Sequence, residues 1–133
     1  MAVNPEILNY VVNEENYSDK APIIKEGGRG DWLYVILEGR AKIKKQTSKG
    51  MLTIDTLTEG DFIGEMALLR LGDKTRFTST IADGPVLVGT LDTERLIKEW
   101  NAQPLRLKKL ISNLMKNLEE TIEKAVTIVE VSK

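Results

Sequence analysis

Residues 59–80 read EGDFIGEMALLRLGDKTRFTST, and two charges in this stretch decide how the chain is read. Glu65 follows a glycine and opens a helix-like run, and Arg76 stands eleven residues later, where a β-type segment begins. A helix start presents unpaired backbone N–H groups, a ready site for an anion. The backbone at Gly64 and the amides of Glu65, Met66 and Ala67 are the donors such a turn aims at a phosphate. Arg76 adds a planar fork that grips two phosphate oxygens, which lysine does less well. Glu65 repels a phosphate, so its natural partner is a sugar hydroxyl. Phosphate and hydroxyl side by side point to a nucleotide. Without further context, a structural ion pair between the two residues, or two solvated loop charges, is the simpler reading.

The flanking sequence sets the fold class. Gly39, Gly50, Gly60, Gly72 and Gly84 recur every ten to twelve residues, between apolar or alternating segments. Residues 32–37 are almost wholly apolar, as in a buried strand, and Leu52 and Ile54 alternate with Thr53 and Asp55, as in a half-exposed one. Residues 75–82 are rich in β-branched side chains, and Val86 and Val88 mark a further strand. This rhythm suits a small β-barrel or sandwich. The basic cluster Arg40, Lys42, Lys44, Lys45 and Lys49 reads as a solvated face, with Ala41 and Ile43 turned inward.

Helices bracket the strands. Asn4, Pro5 and Glu6 form a start signal for a short helix ending by about Asn16, with Ile7, Leu8, Val11 and Val12 on one face. Asp92 caps a helix from Thr93 to about Asn101, and Pro104 opens a longer one at its first position. Leu107, Ile111, Leu114, Leu118, Ile122, Ala125 and Val129 follow a heptad with one stutter. A helix of roughly 25 residues extends nearly 40 Å, beyond what a small barrel covers. A parallel homodimer through residues 104–129 is the expected partner arrangement.

Composition narrows the function. The 133 residues suit one domain, divided into a helical segment over 1–20, a β-roll over 21–91 and C-terminal helices over 92–133. There is no histidine and no cysteine, which argues against metal-dependent hydrolysis, thiol chemistry and disulfides. Net charge is −1, a poor match to nucleic acid. No apolar run approaches a membrane span and no secretory leader is visible, so a cytoplasmic, non-enzymatic protein is expected.

GEMALL, a short linker and an arginine in a strand resemble the phosphate-binding cassette of cyclic nucleotide-binding domains, found in the catabolite activator protein family and in protein kinase A regulatory subunits. Upstream, IIKEGGRGDWLYVILEGRAKI over 23–43 is similar to that family's paired-strand signature. The resemblance implies a mainly β fold with flanking helices, a β-roll with a jelly-roll-like barrel, followed by a long dimerisation helix. It implies that Glu65 contacts a ribose 2′-hydroxyl and Arg76 a cyclic phosphate, with Gly64, Met66 and Ala67 lining the loop. The implied ligand is cyclic AMP or another cyclic purine nucleotide, with no other cofactor and an unknown downstream protein as partner. Thr121 matches a base-contacting threonine on the dimer helix, with Ile122 where the family's adjacent serine stands. Phe77 replaces a small residue after the arginine and reads equally as a core aromatic or a ligand contact. Alternation places Arg76, Thr78 and Thr80 on one face and Phe77 and Ser79 on the other. The linker LRLGDKT over 69–75, a residue or two longer than is usual in that family, together with Phe77 and Ile122, also fits a degenerate β-roll that keeps the fold and dimer helix without a ligand.

Overall fold

The computed structural model describes residues 3–28, 32–65, 69 and 75–132 of the chain. Its framework is antiparallel: β1 (Val11–Tyr17), β2 (Pro22–Ile24), β3 (Tyr34–Thr47), β4 (Gly50–Leu57), β5 (Phe62–Ile63) and β6 (Ser79–Leu91). The strand path is β1-β6-β3-β4, with β2 added to β6 and β5 added to β3. That path ends at β1 and β4, so among the described residues the β-roll is an open sheet.

Strand β3 explains its own apolar run by being covered on both sides. Tyr34 and Ile36 join Ile24, Ile63, Val86 and Val88 inside the roll. Leu33 and Val35 instead pack with Val3 and Leu91, a second cluster that Ile7, Leu96 and Ile97 help to cover. A strand buried on both faces needs no alternation of apolar and polar residues. Trp32, expected in the buried run, lies outside the strand and is 61% exposed.

Gly39 and Gly84, expected between strands, sit in the interior of them. Gly39 lies in β3 at φ +97° and Gly84 in β6 at φ +82°. The β3–β6 register shifts on both sides of Glu38, and a Cβ on Gly39 would lie 2.4 Å from the carbonyl oxygen of Pro85. The two long strands therefore bend together at a point only glycine fits. Gly72 lies outside the described residues.

The amino-terminal helix is shorter than its periodicity predicts. Helix α1 spans Pro5–Leu8, with Asn4 accepting a hydrogen bond from the Glu6 N–H at 2.8 Å. Val11, Val12 and the residues to Tyr17 then form β1 against β6, from Val11↔Leu91 to Tyr17↔Val86. The helical spacing of four apolar residues is overridden by a ladder to residues some seventy positions away, which local pattern does not register.

At the other end α2 (Thr93–Asn101) is capped by Asp92, whose Oδ1 accepts from the Arg95 N–H at 3.1 Å. Helix α3 (Leu105–Val131) starts one residue after the expected point, with Pro104 as its N-cap. Its buried residues are Ile122 and Val126, while Leu107, Leu110, Leu114 and Leu118 are exposed. The apolar stripe thus docks on the roll at its carboxyl-terminal part and is bare before it.

Candidate functional site

Gly64 makes the site possible. It holds φ +94°, and a Cβ there would lie 2.7 Å from Arg76 Nη1, 2.8 Å from the Trp32 carbonyl oxygen and 2.9 Å from Ile24 Cδ1. Glycine is required by conformation and by space alike. Into that gap Arg76 threads its guanidinium, donating from Nη1 to the Gly64 carbonyl at 3.0 Å and from Nη2 to the Trp32 carbonyl at 2.7 Å. Only 7% of Arg76 is exposed. Its backbone is held as firmly: the Arg76 N–H donates to the Gly28 carbonyl at 2.7 Å, and the Gly27 N–H donates to the Arg76 carbonyl at 2.9 Å. A guanidinium carries five N–H donors, and the two carbonyls engage two of them.

Glu65 and Arg76 line one small hollow of about 30 Å³, open to solvent, together with Ile24, Leu57, Ile63, Phe77 and Thr80. That is room for about one or two waters, well below the range of small-molecule sites, about 300–1,000 Å³, so the hollow must widen to take a larger ligand. Burial pushes the Glu65 carboxyl above its ordinary 4.5; its own backbone N–H opposes the shift, nearby Asp61 adds to it, and Arg76 lowers it. A desolvated carboxylate with a cation nearby and a concave apolar wall is an arrangement for one polar ligand group, and perturbed groups of this kind mark functional clefts.

The structure brings together Gly64, Glu65, Arg76 and Phe77. Met66 and Ala67 lie outside the described residues. Phe77 is half-buried and faces the hollow alongside Arg76, contrary to the alternation expected for 75–82, because the regular strand begins only at Ser79. Thr121 is not brought to the hollow: it is exposed on α3, and its hydroxyl donates to the Asn117 carbonyl at 2.9 Å. Ile122, next to it, is instead buried.

One residue was read as solvent-facing and is not. Lys45 is 9% exposed, its Nζ donating to Glu26 Oε2 and to the Phe77 carbonyl, each at 2.9 Å. Its ammonium also lies 3.9 Å from the Phe77 ring centroid. The signal was present in the alternation that turns Ala41 and Ile43 inward, since two further steps reach Lys45 and Thr47. The β3–β4 register skips a residue of β4 between Ile43 and Lys44, so the bulge leaves the alternation of β3 intact.

Residues 14–102 match the family model described as "Cyclic nucleotide-binding domain". The chain is 38% identical over 91 residues to the cGMP-dependent protein kinase egl-4 of Caenorhabditis briggsae, covering 66% of this chain and 12% of that protein. It is 27% identical over 130 residues to the cAMP/cGMP-dependent 3′,5′-cAMP/cGMP phosphodiesterase B of Dictyostelium discoideum, covering 90% of this chain and 11% of that one. Among solved structures, the EAL enzyme Bd1971 in its cAMP- and cyclic-di-GMP-bound form superposes with a TM-score of 0.75 at 24% identity, over 85% of this chain and 30% of the other. PfPKA-R bound to cAMP superposes with a TM-score of 0.58 at 26% identity, over 91% and 38%. The chain therefore spans a small part of the curated relatives it matches.

Proposed function

The chain belongs to the cyclic nucleotide-binding domain family, and from that premise we propose that it is a non-enzymatic, cytoplasmic sensor of a 3′,5′-cyclic purine nucleotide, cyclic AMP first. The observation that supports this reading is Arg76, a buried guanidinium lining the same hollow as a desolvated Glu65 beside a glycine that only glycine can replace. The cyclic phosphate takes Arg76 and the loop amides from Gly64 onward, including Met66 and Ala67. The ribose 2′-hydroxyl donates to Glu65. Phe77 stands at the edge of the hollow, and Thr121 approaches the base only if α3 closes over it.

The dimer belongs to the same proposal. Leu107, Leu110, Leu114 and Leu118 are exposed at helical spacing on α3, an apolar seam suited to a second copy of the helix over residues 104–129. Ligand binding shifts how that helix pair is presented to a downstream protein. Among the described residues no helix is long and apolar enough to cross a membrane, and neither nucleic acid nor membrane is a proposed partner.

Calorimetric titration of cyclic AMP and cyclic GMP tests the reading. Wild type binds at least one of them in the micromolar range, and Arg76→Ala weakens that binding by about a hundredfold or more, as expected when one member of a buried charged contact is removed. Absence of binding by wild type, or equal binding by Arg76→Ala and Glu65→Ala, refutes it. The bonds from Arg76 to the Gly64 and Trp32 carbonyls support a second reading, a β-roll whose arginine has become structural. A rise in melting temperature with added nucleotide excludes that alternative, because only a ligand of the native state stabilises it.

A further inference from the structure

The segment carrying Arg76 is one side of a short ladder whose other side is 26–28. Beyond the two backbone bonds of Arg76, the Glu26 N–H donates to Ser79 Oγ at 2.8 Å. Lys45 spans both sides at once. Its ammonium donates to Glu26 Oε2 on one and to the Phe77 carbonyl on the other, while Glu26 Oε1 accepts from the Gln46 N–H at 2.9 Å. An ammonium has three donors. Among the described residues, a further carboxylate beside it is Glu123 of α3, whose Oε1 stands 4.0 Å away. Glu26, Lys45, Arg76, Phe77 and Glu123 together line a cleft of about 250 Å³ between roll and helix, which shares Arg76 and Phe77 with the hollow at Glu65.

A buried cation rarely stands without paired oxygens, since desolvation is costly. Two of its three oxygens here are at hydrogen-bond length and belong to the ladder that positions Arg76; the third is longer and belongs to the helix. Any displacement of the Arg76–Phe77 backbone moves the ammonium with it, and the contact with room to shorten or break is the one to Glu123. A second carboxylate, Glu130, accepts from the Ser48 N–H at 2.8 Å and keeps the end of α3 near the same strand hairpin.

We propose that Lys45 is a positioning residue that fixes the Arg76 strand in the roll and, through Glu123, transmits its position to α3. The inference rests on the nucleotide reading for its ligand-driven direction. Both hypotheses are separated by measuring the full chain in three forms, wild type, Lys45→Met and Glu123→Gln, by calorimetry with cyclic AMP and by amide hydrogen exchange over residues 121–126. In wild type, cyclic AMP slows exchange there. Glu123→Gln binds within about threefold of wild type but loses the slowing, and Lys45→Met loses both the slowing and about tenfold in affinity, the scale of an ordinary coupling between sites. Full slowing in Glu123→Gln overturns the proposal, as does wild-type affinity in a cooperatively melting Lys45→Met. If Lys45→Met does not fold, Glu123→Gln, altered at an exposed position, decides alone. If wild type binds neither cyclic AMP nor cyclic GMP, the functional reading fails and the coupling is read without ligand. Arg76→Lys then changes exchange over 121–126 in wild type and leaves it unchanged in the Glu123→Gln background; equal changes in both refute it.

Discussion

The hollow and helix α3 hold their charges in opposite ways. At the hollow, Arg76 is buried and bonded to main-chain carbonyls from two separate segments, 12 and 44 residues away in sequence. On α3, Glu123 and Glu130 reach toward β3 and its hairpin from an exposed surface, and Ile122 and Val126 supply the buried anchor. The first arrangement is rigid because backbone atoms do not swing away. The second is tethered by long side chains and a small apolar footprint, which is what a movable element requires. On the proposed reading, a site that keeps its shape and a helix that shifts are built from different materials in one chain.

The sharpest way to break the rigid half is Gly64→Ala. With φ at +94° and a Cβ 2.7 Å from Arg76 Nη1, alanine adds backbone strain and displaces the guanidinium. Destabilisation of about 2–4 kcal/mol, seen as a lowered denaturant midpoint, is expected together with loss of nucleotide binding. The tethered half is tested by Ile122→Ala, which removes one of two buried anchors. A loss of about 2 kcal/mol is expected, with hydrogen exchange accelerated across α3 and little changed in β3 and β6. Uniform acceleration throughout would show that helix and roll unfold as one unit.

Glu65→Gln sharpens the comparison through pH. Burial raises the Glu65 carboxyl in the folded protein, so the native state favours the protonated acid. Stability from that group is full below its ordinary 4.5 and is lost as pH rises through the raised folded value. Glu65→Gln is therefore expected to melt higher than wild type at pH 7, the gap closing on acidification below that ordinary value. It is also expected to bind cyclic AMP about tenfold more weakly, having lost a charge-assisted bond. For wild type, nucleotide affinity falls as Glu65 becomes protonated. The smallest effect on folding is predicted for Leu114→Lys on the exposed seam. Its unfolding free energy at low concentration stays within about 0.5 kcal/mol of wild type, while sedimentation is expected to show a monomer in place of the proposed wild-type dimer.

Much of the site was legible because its signals are local. A glycine, an acid and an arginine at set spacing mark the loop, and each of the described members, Gly64, Glu65 and Arg76, meets the same hollow. Asp92 capped its helix as its position and side chain imply. Lys45 was misread for a different reason: five basic residues in ten positions look like a solvated face, and charge outweighed the alternation that turns it inward. Val11 and Val12 carried a helical spacing, yet their partners across β6 were invisible from the neighbourhood.

What the amino-acid order determined unaided was the β-rich class, the glycine, acid and arginine that share one hollow, and a long amphipathic terminal helix, because periodicity and turn chemistry act over a few residues. Only the folded chain decided that the Trp32 and Gly64 carbonyls clasp Arg76, that Lys45 is enclosed by Glu26 and Phe77, and that α3 docks through Ile122 and Val126. Those are contacts between segments distant along the chain, and burial and hydrogen bonding across such distances are settled by how the strands pair.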